Sequence, residues 1–376
     1  MTILSPPPHH LLPSDGRFGV GPSRIRPAQV DVLAQASELG TSHRQSPVKA
    51  RVASIREGLR ELFSLPPSYE IALGNGGATA FWAIATSCLI ETKAKAAVFG
   101  EFGAKFAEDI SAAPWTTVDV VKAPPGELAT IADPSATADT YAYTQNETST
   151  GVVSPLYRGA PSPALTLVDA TSIAGASVVD WDLVDAYYFS PQKCFGSEGG
   201  LWIAVLSPDA IERTQRLVAD TNRYVPAILN LDEAVKASRV DQTLNTPAIA
   251  TLILFDEQIK WMLDNGGLSA MEQKARAGAN LIHEWAEARS FASLFVADPA
   301  LRSPVTTTVD LAPEIDVYDL ARSLRDVGVV DIEGYRKLGR NQLRIASFPS
   351  VETSDIGSLL ACVDWMVDNA TPQPSL

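Results

Sequence analysis

The chain has 376 residues, of which 46% are hydrophobic and 20% charged, enough for a full core and more than one domain, since single cores rarely keep growing past about 250 residues. A net charge of −14 and a pI near 4.8 argue against nucleic acid or an anionic membrane as partner, because both reward a basic face. Any anionic ligand must then be met by a local basic pocket.

The opening MTILSPPPHHLLPSDGRF has neither the basic nor the long apolar region of a signal peptide, and no later apolar run approaches the roughly 20 residues of a membrane helix, so a cytoplasmic, membrane-free protein is expected. Cys88, Cys194 and Cys362 are scattered without a CxxC pair, and His9, His10, His43 and His283 show no HExxH spacing. Neither a disulfide framework nor a metal mechanism is suggested.

Residues 1–14 are rich in proline and polar side chains and read as a flexible arm. From Glu70 onward, short apolar strands alternate with helical stretches, the pattern of an α/β domain built on a mostly parallel sheet flanked by helices. Strands are expected near Glu70–Leu73, Ala96–Phe99, Val118–Val121, Thr140–Tyr143, Leu165–Val168, Ala186–Phe189 and Leu201–Leu206. Thr246-Pro247 looks like a helix start, with Thr246 as N-cap, and the helical pattern then runs through Leu252, Phe255, Ile259 and Leu263 to a stop at Gly266-Gly267. This helix is expected to join a large domain, residues 15–263, to a smaller α+β domain, residues 264–376. In the latter, strands are expected at Thr306–Leu311 and Gln342–Ile345. Ile356, Leu359, Leu360, Val363, Met366 and Val367 fall on one helical face, which reads as core.

Open parallel sheets bind ligands at the carboxyl ends of their strands, which singles out three places. In EIALGNGGATAFWAIA a strand runs into Gly74-Asn75-Gly76-Gly77 and a helix begins about Ala78-Thr79; small residues permit close approach and the helix start attracts phosphate, although such turns are often only turns. In LTLVDATS a strand delivers Asp169, which alone could be an ordinary turn or cap. In DAYYFSPQKCFGSEGGLWIAV, Lys193 stands between two core strands, where an unpartnered lysine is unusual, although a surface loop lysine is the plain alternative. Together they are the groups a pyridoxal 5′-phosphate enzyme needs: a lysine to carry the cofactor, a carboxylate to keep the pyridine nitrogen protonated, and a helix start for the phosphate.

The segments DGRFGVGPS, GTSHRQSPV, GNGGATAFW, GEFGAKF, NETSTG, VDATS, YYFSPQK, NTPAIAT and YRKLGRNQLRIASFP occur in this order between about Asp15 and Asn369. In this series the chain resembles the phosphoserine aminotransferases, pyridoxal-phosphate enzymes of the fold-type-I, class V aminotransferase group. The resemblance implies Lys193 as the lysine that binds the cofactor and shuttles the proton, and Asp169 as partner of the pyridine nitrogen. It implies phosphate contacts from Ala78, Thr79 and Gln192, Phe102 against the ring face, and Thr148 at the cofactor's polar edge. Asn245 and Thr246 would reach the phosphate in a neighbouring subunit, making a homodimer with shared active sites. Arg44 and Arg344 would bind substrate carboxylate, for which a planar guanidinium fork is suited, and His43 the substrate phosphate. Arg336 and Lys337, with Arg340 close by, would complete the phosphate pocket.

The substrates so implied are glutamate and a phosphorylated 2-oxo acid, 3-phosphohydroxypyruvate, in serine biosynthesis and by extension pyridoxine biosynthesis. Many relatives carry an arginine where this chain has Ala78, a tryptophan where it has Phe102, and a His-Arg pair where it has RKLGR. Alternatives are another class V transaminase acting on serine or alanine with pyruvate or glyoxylate, and a non-catalytic homologue that kept the cofactor fold. A cysteine desulfurase is disfavoured, because Cys194 beside the lysine is badly placed for a mobile-loop nucleophile.

Overall fold

The computed structural model describes residues 2–3 and 5–372. Two helices precede the first long strand, α1 (Pro27–Gln35) and α2 (Ser46–Leu62), each with a proline in its first two positions, where the missing N–H costs no hydrogen bond. The α/β region follows: β1 (Glu70–Asn75), α3 (Gly77–Cys88), β2 (Lys93–Val98), α4 (Glu101–Ala112), β3 (Thr117–Lys122), β4 (Thr140–Thr144), β5 (Leu165–Asp169), β6 (Ala186–Phe189) and β7 (Leu201–Leu206). These are the seven expected strands, and they form one sheet in the order β1-β7-β6-β5-β4-β2-β3. Six run parallel and β7 alone runs antiparallel to both of its neighbours.

Both faces of the sheet are covered, which is why its central strands read as unbroken apolar runs. Period-two alternation sorts their side chains. Ile71, Leu73, Tyr141, Tyr143, Tyr187, Phe189, Ile203 and Val205 join a core with α2 and with α7 (Ile249–Asp264). Ala72, Ala142, Ala186, Tyr188, Trp202 and Ala204 face the other way, against α3, α4, α5 (Pro208–Val218) and α6 (Leu231–Arg239).

One expected boundary is corrected. Helix α7 begins at Ile249 with Ala248 as its N-cap residue, so Thr246 does not cap it. The Thr246 hydroxyl lies 3.1 Å from His43 Nδ1, and the side chain of Asn75 accepts a hydrogen bond from the Ala248 N–H instead.

After the left-handed Gly266, α8 (Gly267–Glu287) leads into an antiparallel three-stranded sheet of β8 (Ala292–Leu294), β9 (Thr306–Leu311) and β10 (Gln342–Ala346), with α9 (Val317–Asp326) between the last two strands. The closing helix α10 (Thr353–Asp368) buries Ile356, Leu359, Leu360, Val363 and Met366, the stripe expected as core. The amino-terminal segment lies along this helix. Ser14 donates to Asp355 from its N–H and its hydroxyl (2.8 and 2.7 Å), Arg24 pairs with the same carboxylate, and Cys362 meets the Leu11 carbonyl. From there the chain crosses the large sheet: Ser23 donates to the Gln192 carbonyl from its N–H and to the Lys193 carbonyl from its hydroxyl.

Candidate active site

The carboxyl ends of β1, β4, β5 and β6 surround a cavity of about 420 Å³, within the range of small-molecule sites. Each strand delivers one part of it. Strand β5 ends on Asp169, and β6 feeds a turn carrying Ser190, Gln192 and Lys193. Strand β4 runs into Thr144, Asn146 and Thr148, while β1 runs into Gly76-Gly77 and the first turn of α3. Gly76 and Gly77 take positive φ (117° and 71°), a conformation open to glycine, and so turn the helix's free N–H groups toward the cavity.

Lys193 is held by its surroundings. Its Nζ donates to the Val20 carbonyl at 2.5 Å and lies 6.0 Å from the centre of the Phe102 ring. A Cβ at Gly21 would come within 2.3 Å of that nitrogen, so a residue with a side chain there would fill the lysine's space. Burial, reinforced by the charge of Arg344, lowers the Lys193 ammonium to about 8. Asp169 is shifted in the complementary sense: burial pushes its carboxyl above the ordinary range, against the opposing pull of N–H groups from Thr171 (2.9 Å) and the Trp82 indole (2.8 Å). Among the described residues no cation lies within ion-pairing distance of Asp169.

Ala78, Thr79, Phe102, Thr148 and Gln192 all line this cavity, as do Lys193 and Asp169. Arg344, on β10 of the smaller sheet, reaches the same place: its guanidinium donates to the Thr148 carbonyl at 3.3 Å and lies over the Tyr335 ring, while its buried Nε has no partner among the described residues.

The other expected residues lie elsewhere. Asn245 and Thr246 are exposed and sit outside the cavity, tied to the end of β1 by the Asn75 amide, which donates to the Asn245 side chain (3.1 Å) and the Thr246 carbonyl (2.7 Å). His43 is buried against Thr246, burial and the neighbouring Arg44 lowering its pKa, and Arg44 is exposed beside it. Arg336 is exposed on the turn before β10, and Lys337 is ion-paired with Glu101.

Several residues of the site had no sequence signal of their own. Trp82 lies one helical turn beyond Thr79, so its facing the cavity could have been inferred from spacing. Glu147 stands inside NETSTG, where nothing in the sequence marks it as buried. Its carboxylate is fully buried and accepts from the backbone N–H groups of Phe102 and Gly103.

The contents of the cavity suit a flat, phosphate-bearing pyridinium. A buried carboxylate without a cation stands at its floor, a lysine beside it, and glycine turns at a helix start on its wall. The buried Thr144 Oγ1 and Asn146 Oδ1 have no hydrogen-bond partner among the described residues.

Comparisons with known proteins agree in kind. The sequence profile described as aminotransferase class-V matches residues 28–336. A putative phosphoserine aminotransferase from Mycolicibacterium vanbaalenii is 50% identical over 365 residues, covering 96% of this chain and 98% of the relative. A phosphoserine aminotransferase from Corynebacterium glutamicum is 48% identical over 372 residues, covering 98% of each. Among solved structures, a phosphoserine aminotransferase from Cytophaga hutchinsonii superposes with a TM-score of 0.86 at 26% identity, over 93% of this chain and 99% of that one. An alanine–glyoxylate aminotransferase from Nostoc, 21% identical, covers 97% of each chain with a TM-score of 0.79, a likeness of fold.

Proposed function

The chain belongs to the class V aminotransferase family, and from that premise we infer that it is a phosphoserine transaminase, exchanging an amino group between glutamate and 3-phosphohydroxypyruvate to give 2-oxoglutarate and O-phosphoserine. The observation that carries the reading is the cavity itself, where Lys193 and Asp169 meet at the strand ends of a chain that matches relatives named for this activity over almost its whole length. Serine biosynthesis is the corresponding role, and the cytoplasm the corresponding place.

Pyridoxal phosphate, when bound, supplies the carbonyl that receives and returns the amino group and a ring that draws off the electrons of the broken Cα–H bond. Lys193 would carry it and, once released, take the proton from the substrate's α-carbon at Nζ. Its lowered pKa suits that task, because a lysine near 8 is partly neutral at physiological pH. Asp169 would hold a proton on the pyridine nitrogen, for which its burial and lack of a cation leave it ready. Ala78, Thr79 and Gln192 would receive the phosphate at the start of α3, Phe102 would cover the ring face, and Thr148 would meet the polar edge.

Arg344, with a free Nε, would take the substrate carboxylate. Asn245 and Thr246 lie outside their own chain's cavity, which supports their serving the cavity of a second subunit in a homodimer. His43 shares their surface through its contact with Thr246, and Arg44 adjoins it, so the substrate contacts of these two would be made across the same interface. Arg336 is free to meet the substrate phosphate, whereas Lys337 would first have to leave Glu101.

An absorbance titration of the cofactor-loaded protein tests this reading. Glutamate should bleach the visible absorbance of the lysine-bound cofactor, and 3-phosphohydroxypyruvate should restore it far more efficiently than unphosphorylated hydroxypyruvate. Equal restoration by both keto acids would move the assignment to another class V transaminase, and no response to glutamate would remove transamination altogether.

A further inference from the structure

Glu147 is fully buried, and among the described residues no cation lies within ion-pairing distance of it, yet the mechanism above gives it no chemistry. Groups that donate surround its carboxylate. The Phe102 N–H approaches both oxygens (3.3 and 3.2 Å), the Gly103 N–H donates at 3.1 Å, and Ser149 donates from its hydroxyl at 2.7 Å and its N–H at 3.3 Å. The Ser149 hydroxyl in turn accepts from the Glu101 N–H at 3.0 Å. Three consecutive N–H groups at the start of α4 are thus satisfied by one side chain and its neighbour.

This grip is a tight fit as well as a charged one. Gly100, immediately before the helix, has no room for a side chain, since a Cβ there would lie 2.1 Å from Glu147 Cγ. An ionised carboxylate suits the place because it only accepts and because the positive end of the helix dipole favours it, whereas burial pulls the other way and raises its pKa. What the grip fixes is the first turn of α4, and the ring that this turn carries is Phe102, 6.0 Å from Lys193 Nζ. Around it, Tyr335 meets the ring at a centroid distance of 6.2 Å, the Lys105 ammonium lies 5.6 Å from its centre, and the side chain packs against the core that α3 and α4 form on the sheet.

We propose that Glu147 is a positioning residue, whose buried carboxylate holds the first turn of α4 so that the Phe102 ring stands against the face of the bound pyridoxal phosphate. The proposal rests on the cofactor reading above and deepens it.

The test is a double-mutant cycle on the full-length apoprotein, with Glu147→Gln, Phe102→Ala and the pair, read as the dissociation constant for added pyridoxal phosphate. Each single variant should weaken binding by about tenfold, in the range expected for a lost buried charged contact, and the pair should be little weaker than Phe102→Ala alone. Thermal melts of the apoproteins show that the variants fold. If Glu147→Gln is not obtained folded, Ser149→Ala, which removes the hydroxyl bridging Glu147 and Glu101, takes its place in the same cycle. Unchanged affinity in the glutamate or serine variant, or effects that simply multiply in the pair, would overturn the positioning role. Absence of cofactor binding by the wild type would instead overturn the cofactor reading, and this proposal with it.

Discussion

At the scale of single residues, the cavity buries a carboxylate and an amine where neither is comfortable with its charge. Lys193 titrates near 8 instead of 10.5, so between these values the unfolded chain binds a proton that the folded chain has given up. Folding therefore gains stability from this group as pH rises through the window, and carries the full cost of burying the ammonium below it. Replacing Lys193 with Met removes the effect. We expect the melting temperature of the Lys193→Met apoprotein, measured against wild-type apoprotein from pH 7 to 10.5, to show the larger advantage at the acid end and to lose it as pH rises. A constant difference across the range would mean that Lys193 titrates normally and that its burial leaves its charge untouched. The same residue was visible in the sequence because lysine between two core strands is unusual, and Asp169 because it ends an apolar strand. Glu147 is not, since a buried carboxylate that caps a helix from a distant loop leaves no periodic trace, and Trp82 shows only through its spacing from Thr79, because an indole that serves as a donor otherwise looks like any core aromatic.

At the scale of elements, the strands were the easiest part of the fold to read and the starts of helices the hardest. All seven strands of the large sheet are legible because alternating apolar faces leave a period-two pattern, and a parallel sheet covered on both sides leaves apolar runs. The antiparallel course of β7 was not legible, because direction depends on the connection and not on side-chain pattern. The start of α7 differs from its sequence signal for another reason: Thr246-Pro247 has the form of a cap, but its hydroxyl is engaged by His43, and the Ala248 N–H donates to the side chain of Asn75, far away in sequence. Asn75 joins the end of β1 to Asn245, Thr246 and Ala248 through three hydrogen bonds. Asn75→Ala should therefore destabilise the protein by about 1 kcal/mol, more than Thr246→Ala, in denaturant unfolding followed by circular dichroism. The opposite order would return the cap to Thr246.

At the scale of the whole molecule, the question is which residues belong to which active site. Lys193, Asp169, Phe102 and Arg344 converge within one chain, whereas Asn245, Thr246, His43 and Arg44 form a separate strip around the end of β1, with Thr246 and His43 in contact. If that strip serves a second subunit, two inactive variants can rescue one another. On the reading proposed above, Lys193→Ala would lack the base and Arg44→Ala the carboxylate ligand, and a mixed dimer would then contain one site with both defects and one site with none. Random reassortment of equal amounts makes half of the dimers mixed, so the recovered activity should approach about a quarter of wild type, as the symmetry of a two-fold dimer requires. Were Arg44 to act within its own chain, every site in the mixture would keep one defect and mixing would recover nothing beyond the sum of the parents. The assay, initial rate of amino transfer after co-refolding the two variants, thus separates shared from self-contained sites without any knowledge of the interface itself.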